Sequence, residues 1–242
     1  MNSLKSNPNR PRVNFEDLDV IDYKIAWDYQ TSLFEPIVNQ KIANRKDPEN
    51  TIPTKNHLLF CEHPHVYTLG TSGSSSNLLA SEQLLTARGA SFYKINRGGD
   101  ITYHGPGQLV AYPIFDLDYF FSDIHKYLRF LEESVILTLK EYGINAGRIE
   151  GLTGVWVNAA DPKNARKICA LGVKSSRWVT MHGIGFNINT DLSYFNAIIP
   201  CGIKDKKVTS LKKELGHTID FNEIKQILKL NMSTIFDYDY NE

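Results

Sequence analysis

Arg97-Gly98-Gly99-Asp100-Ile101-Thr102-Tyr103-His104-Gly105-Pro106-Gly107-Gln108 runs straight into the apolar stretch Leu109 to Ile114. Four glycines, a proline, a histidine, an arginine and an aspartate stand within twelve residues, between two strand-like segments, Ser91–Ile95 and Gln108–Phe115. A hairpin needs only about two to five linking residues, so this longer and chemically denser connection predicts a binding loop carried on a rigid sheet. Glycine lets a ligand approach the main chain closely. Taken alone, the stretch also fits a glycine-rich turn with a structural histidine. Two familiar glycine motifs are excluded. Gly105-Pro106-Gly107-Gln108 leads into a strand rather than a helix, and neither a dinucleotide fingerprint nor a G-x-x-x-x-G-K-[ST] phosphate loop occurs, so no motif points to ATP.

Outward from this stretch, 242 residues with 42% hydrophobic and 22% charged side chains suit one sizeable globular domain. Net charge is zero, so no global field points to nucleic acid or membrane. Basic residues do cluster, at Lys163, Arg166, Lys167, Lys174 and Arg177 and again at Lys204, Lys206, Lys207, Lys212 and Lys213. Such runs are most often solvated faces, and they are also suited to an acidic partner. Three irregularly spaced cysteines, Cys61, Cys169 and Cys201, make neither a disulfide framework nor a four-cysteine zinc site. No apolar run approaches the roughly 18 residues of a membrane span, and the N-terminus is polar. The expectation is a cytoplasmic protein with a flexible tail over 1–12 and a single domain over 13–242.

The patterning predicts a short strand at Val13–Phe15 and a long helix from Tyr23 to Arg45, capped by Asp22, with Ile25, Tyr29, Leu33 and Ile37 as its buried stripe. Strands follow at Leu58–Cys61 and Val66–Leu69, a mobile serine-rich stretch over Thr71 to Asn77, and a short helix over Leu78–Arg88. His63 and His65 flank Pro64, and with no third ligand evident a metal site is the minor reading. Helical spacing returns from Asp123 to Tyr142, stopped by Gly143, and over Phe221 to Ile235. Between them lie strand-like runs at Gly154–Val157, Lys167–Val173 and His182–Ile188. Short clustered strands with three main helices give an α+β class, a single mixed-sheet domain with helices packed on one face.

Four phrases, in order, carry a resemblance: E-H-P-H-V-Y-T-L-G from Glu62, the R-G-G-D-x-T-Y-H-G-P-G-Q stretch, K-I-C-A-L-G-V from Lys167, and P-C-G with T-S-L between Pro200 and Leu211. Together with His182-Gly183 they span well over half the chain, and they resemble the lipoyl(octanoyl) transferases of the lipoate pathway. The resemblance implies the fold of the biotin and lipoate protein ligases, shared with class II aminoacyl-tRNA synthetase catalytic domains. It also implies transfer of octanoyl from octanoyl-acyl carrier protein to the acceptor lysine of lipoyl domains, on 2-oxoacid dehydrogenase E2 subunits and the glycine cleavage H protein, without a cofactor.

The resemblance makes Cys201 the nucleophile and Lys167 the base. Taken alone, a lysine opening a strand usually faces solvent and a lone cysteine is usually buried and inert. An amine turned inward would be desolvated, which disfavours the ammonium form and suits a base. A cysteine between proline and glycine lies on a turn, where main-chain N–H groups are free to meet an oxyanion. Arg97, Gly98, Gly99, Asp100, Tyr103, His104, Gly105, Leu171, Gly172, His182 and Gly183 are the expected substrate-binding residues, with Arg97, Gly98, Gly99 and Tyr103 at an acyl tunnel. His104 and His182 are expected to shape the pocket or donate hydrogen bonds. Cys169 departs from the family pattern, and on an ideal strand it shares a face with Lys167. An ATP-dependent lipoate–protein ligase on the same fold and a non-catalytic lipoyl-domain-binding module remain as alternatives, with a nucleic-acid binder more distant.

Overall fold

The computed structural model describes residues 10–161, 163–199 and 207–241. The chain opens with β1 (Arg12–Val20), and Arg10 just before it pairs with Asp237 and Asp239 at 2.8 Å each, inside what the sequence reads as tail. Helix α1 (Tyr23–Lys46) follows, its first turn capped by the Asp22 carboxylate accepting from the Lys24 and Ile25 N–H groups. Then come β2 (Asn56–Glu62), β3 (Val66–Leu69), α2 (Glu82–Ala87), β4 (Ser91–Lys94), β5 (Ile101–His104) and β6 (Gln108–Ile114). Helix α3 (Ile124–Glu141) leads to β7 (Ala146–Ile149), β8 (Leu152–Val157), β9 (Arg166–Ser176) and β10 (Val179–Asn187). The described chain ends with β11 (Lys207–Val208), α4 (Leu211–Leu215), α5 (Phe221–Phe236) and β12 (Asp239–Tyr240).

The described strands form two sheets, where the sequence suggests one. The main sheet is mixed, in the order β12-β1-β2-β6-β10-β9-β8-β7, with β11 parallel to the start of β9; the smaller sheet is β4-β3-β5. Helices cover both faces of the main sheet, not one. On one side α3 and α5 pack Tyr127, Leu131, Val135, Leu228 and Met232 against Leu58, Phe60, Leu109 and Phe186. On the other, α1 packs Ala26, Phe34 and Ile37 against Leu59, Val110, Tyr112 and Met181. A sheet buried on both faces explains why β6 and β10 are buried along their whole length.

The inner stripe of α1 also differs from the reading by apolar spacing. Tyr23, Ala26, Gln30, Phe34, Ile37 and Lys41 are buried, whereas Ile25 is 60% exposed. Two of those inward residues are polar and have tertiary partners. Gln30 accepts the His182 N–H at 3.0 Å, and Lys41 bonds the buried Asp116 carboxylate and Asp118. Among the described residues no helix is long and apolar enough to cross a membrane.

Candidate active site

The glycine-rich stretch is not one long loop. Its middle forms β5, which pairs antiparallel with β3 so that Thr102 faces Thr68 and Tyr103 faces Tyr67. Two short turns remain on either side. In the first, Arg97 is nearly buried and its guanidinium donates to the Thr68 carbonyl (2.9 Å), the Thr68 hydroxyl (3.0 Å) and the Gly98 carbonyl (3.0 Å). Gly98 N–H donates to the Val173 carbonyl at 2.8 Å, fastening this turn to β9. The serine-rich stretch is fastened too: Thr71 and Ser72 N–H donate to the Arg97 and Gly99 carbonyls, and Asn77 donates to Asp100. In the second turn Gly107 takes φ +77° and its N–H donates to the Glu62 carboxylate at 2.7 Å.

This roof encloses a cavity of about 430 Å³ over β8, β9, β10 and β6, on the side of the main sheet that also carries α1. The size lies within the roughly 300–1,000 Å³ usual for small-molecule sites. Its floor is nearly bare of side chains at Ala170, Gly172, Gly183 and Gly185. A methyl group on Gly172 would lie 2.8 Å from the Arg97 side chain and 3.0 Å from the Gly98 carbonyl, so roof and floor meet there at main-chain distance.

Of the expected binding residues, Arg97, Gly98, Gly99, Asp100, His104, Leu171, Gly172, His182 and Gly183 line the cavity, and so does Lys167. Tyr103 and Gly105 do not. Alternation along β5 sends Tyr103 into a separate apolar cluster, where it stacks on Tyr194 and its hydroxyl bonds His65 at 2.7 Å. Gly105 lies against that hydroxyl, which leaves no room for a side chain. Both support the roof from behind.

Lys167 reaches the cavity because β9 is irregular. Trp156 pairs with Lys167 but Val155 pairs with Cys169, so Ile168 is an extra residue on β9. Such a bulge reverses the alternation beyond it. Ile168 and Cys169 therefore both enter the α3–α5 core, and Lys167 turns the other way, its Nζ 4.7 Å from the Trp156 ring centroid. Burial pushes the Cys169 thiol up. Cys169 does not share a face with Lys167 and is not a second thiol at the site.

Cys201 lies outside the described residues. The chain on either side is described: Ile199 N–H donates to the Asn77 carbonyl at 2.8 Å, and Lys207 and Val208 pair with Arg166 and Lys167 and line the cavity.

Burial disfavours the charged form of three histidines in and behind the site. Burial pushes His104 and His182 down to about 3, and His63 to about 4. His104 Nδ1 donates to the Gln108 side-chain Oε1 at 2.7 Å, and the Gln108 Nε2 donates to Tyr103 O and to Asn187 Oδ1, whose own amide donates to Thr209 O. A buried polar chain thus links the roof to the segment just after β11. His182 has φ +60° and stands opposite Pro113, which has no N–H to offer the sheet; its own N–H goes to Gln30 instead. His63 sits between the Ile21 carbonyl and the Tyr112 hydroxyl, while His65 stacks on Tyr194. The two face separate partners, and among the described residues no group of three or more His, Cys, Asp or Glu is set to hold a metal ion.

Tyr23, Tyr112 and Trp156 also line the cavity and went unrecognised in the sequence, where each reads as an ordinary apolar position. Only the capping Asp22 beside Tyr23, which fixes where α1 begins, hinted at one of them.

The comparisons with known proteins agree with this geometry. Residues 22–233 match the family model for the lipoyl protein ligase A/B catalytic domain. The chain is 56% identical over 235 residues to an octanoyltransferase of Cytophaga hutchinsonii, covering 97% of this chain and 96% of that one. It is 59% identical to the octanoyltransferase of Flavobacterium johnsoniae, covering 93% and 97%. Among solved structures, a putative lipoate protein ligase of Thermoplasma acidophilum superposes with a TM-score of 0.66 at 17% identity, covering 96% of this chain and 88% of that one. A lipoate-protein ligase A bound with ATP gives 0.65 at 17% identity, with the same coverage, and likewise shares the fold. The chain belongs to the lipoyl protein ligase A/B catalytic-domain family, among its octanoyltransferases, and is an acyltransferase.

Proposed function

We propose that the enzyme transfers octanoyl from octanoyl-acyl carrier protein to the lysine of a lipoyl domain, through a thioester on Cys201. Residues 13–242 act as one catalytic unit in the reducing cytoplasm, where the buried thiols of Cys61 and Cys169 stay free. One observation carries the reading: the cavity has Lys167 in its wall together with Lys207 and Val208, the residues that follow the Cys201 segment.

The proton balance is closed by two groups. Lys167 takes the Cys201 proton, the thiolate attacks the thioester carbonyl, and the carrier thiolate leaves with the proton returned from Lys167. The acceptor amine then attacks the acyl-enzyme, Lys167 accepts the proton it sheds, and Cys201 leaves as thiolate. His104 and His182, neutral throughout, shape the pocket. Acceptors are lipoyl domains of 2-oxoacid dehydrogenase E2 subunits and the glycine cleavage H protein, and the basic residues Lys163, Arg177 and Lys207 offer charge to acidic partners.

Intact-protein mass spectrometry after mixing with octanoyl-acyl carrier protein, without ATP, tests this beside Cys201→Ser. One octanoyl group on the wild type alone, lost on adding apo lipoyl domain, is the expected result. No adduct on either protein, with acceptor modified only when ATP and free octanoic acid are supplied, overturns it in favour of a ligase.

A further inference from the structure

The neighbouring strand makes room for Lys167. Gly154 on β8 has φ +126°, a conformation that side-chain-bearing residues rarely adopt. A methyl group there would lie 2.8 Å from the Cys169 carbonyl oxygen, 3.2 Å from Lys167 Cε and 3.5 Å from Lys167 Cδ. The lysine stem thus lies in the space that the missing side chain leaves, with the Trp156 ring under its ammonium end.

What fixes Gly154 comes from the far side of the sheet. Glu132 on α3 is wholly buried, and its Oε1 accepts the Gly154 N–H at 2.9 Å. Its Oε2 is held by Arg129 at 2.8 Å and Arg148 at 3.0 Å. A buried carboxylate is costly unless paired and hydrogen-bonded, and this one has both, with one oxygen given to a single main-chain N–H. Gly154 lies between Leu152 and Trp156, where the register of β8 with β7 shifts, and its N–H takes a side chain as partner.

We propose that Glu132 and Gly154 are positioning residues for Lys167: the α3 carboxylate locks the β8 main chain in the one conformation that opens a slot for the lysine stem and aims its amine into the cavity. The inference rests on the role of Lys167 as base given above. Glu132 touches no substrate and acts only through Gly154.

The test compares Gly154→Ala, Glu132→Gln, Glu132→Ala and Lys167→Met in the full-length enzyme. For each, kcat, KM for octanoyl-acyl carrier protein, the pH profile of kcat and Tm are measured. A general base is worth about 10²–10⁴ in rate, so Lys167→Met should lose at least about a hundredfold. Gly154→Ala and Glu132→Ala should lose about 10- to 100-fold in kcat, as misplacement of a reacting group by about 1 Å does, with KM changed less than about threefold. Glu132→Gln keeps an acceptor for the Gly154 N–H and should restore most of kcat even where Tm remains low. Wild-type kcat and pH profile in Gly154→Ala or Glu132→Ala, with Lys167→Met inactive, overturn the positioning role alone. A fall in kcat in Glu132→Gln equal to that in Glu132→Ala, tracking Tm, also overturns it. Full activity in Lys167→Met instead defeats the base assignment itself. Should Gly154→Ala not fold, the two Glu132 variants decide.

Discussion

Three buried histidines crowd one end of the cavity and its surroundings, and none can take a proton without loss. His104 lowers its own affinity through burial and through its neighbours His63 and His182, settling at about 3. His182 stands at about 3 and His63 at about 4, against an ordinary value of about 6.5. The unfolded chain therefore binds protons that the folded protein refuses. The stability these residues contribute is fully present above about pH 6.5 and drains away as pH falls towards 3. Each histidine should cost about 1.4 kcal/mol per pH unit within that window. Urea unfolding at pH 7 and pH 5 should show a loss of several kcal/mol, and His104→Gln should reduce the slope by about one proton. Equal stability at the two pH values would mean that these side chains are hydrated and protonated in the folded enzyme. The motif phrases located His104 and His182 in the sequence, but their neutrality comes from burial, and the segments that bury them lie far along the chain.

Helix ends were legible because they are local. Asp22, Asp123 and Asp220 each stand one residue before a helix and accept its first N–H groups, and Gly143 turns at φ +69° just after α3. The inward face of α1 was not legible, because apolar spacing gives no weight to a glutamine and a lysine whose partners, His182 and Asp116, lie far along the chain. The two readings of that face make opposite predictions. Phe34 is 5% exposed beneath Lys174, and Phe34→Ala should cost about 3–5 kcal/mol. Ile25→Gln, at a site 60% exposed, should change stability by no more than about 0.5 kcal/mol. Paired denaturation curves settle it, and a large cost at Ile25 would restore the stripe read from spacing. The β9 bulge was hidden for a related reason. Strict alternation puts Lys167 and Cys169 on one face, and only the pairing with β8 shows that Ile168 is the extra residue.

At the scale of the molecule, the cavity exists because two sheets meet. The small sheet contributes β5 and the Arg97 turn as roof; the main sheet contributes the glycine floor of β9 and β10. Among the described residues, the links between them include Gly98 N–H to Val173 O, His182 Nε2 with Asn96 Oδ1, and the chain from His104 through Gln108 to Asn187. An apolar chain lying between the layers adds contacts to both at once. Octanoate, as the simplest such chain, should therefore raise Tm, by the equivalent of about 2.7 kcal/mol at a hundred times its Kd. Amide exchange should slow together in Ile101–His104 and in the β9–β10 residues from Ala170 to Gly185, since the same ligand holds both layers closed. With Gly172→Ala, whose methyl would stand 2.8 Å from the Arg97 side chain, the protection should weaken in both layers equally. Protection confined to one sheet would mean that the chain binds on a surface rather than between the layers, and the cavity would then lose its standing as the acyl site.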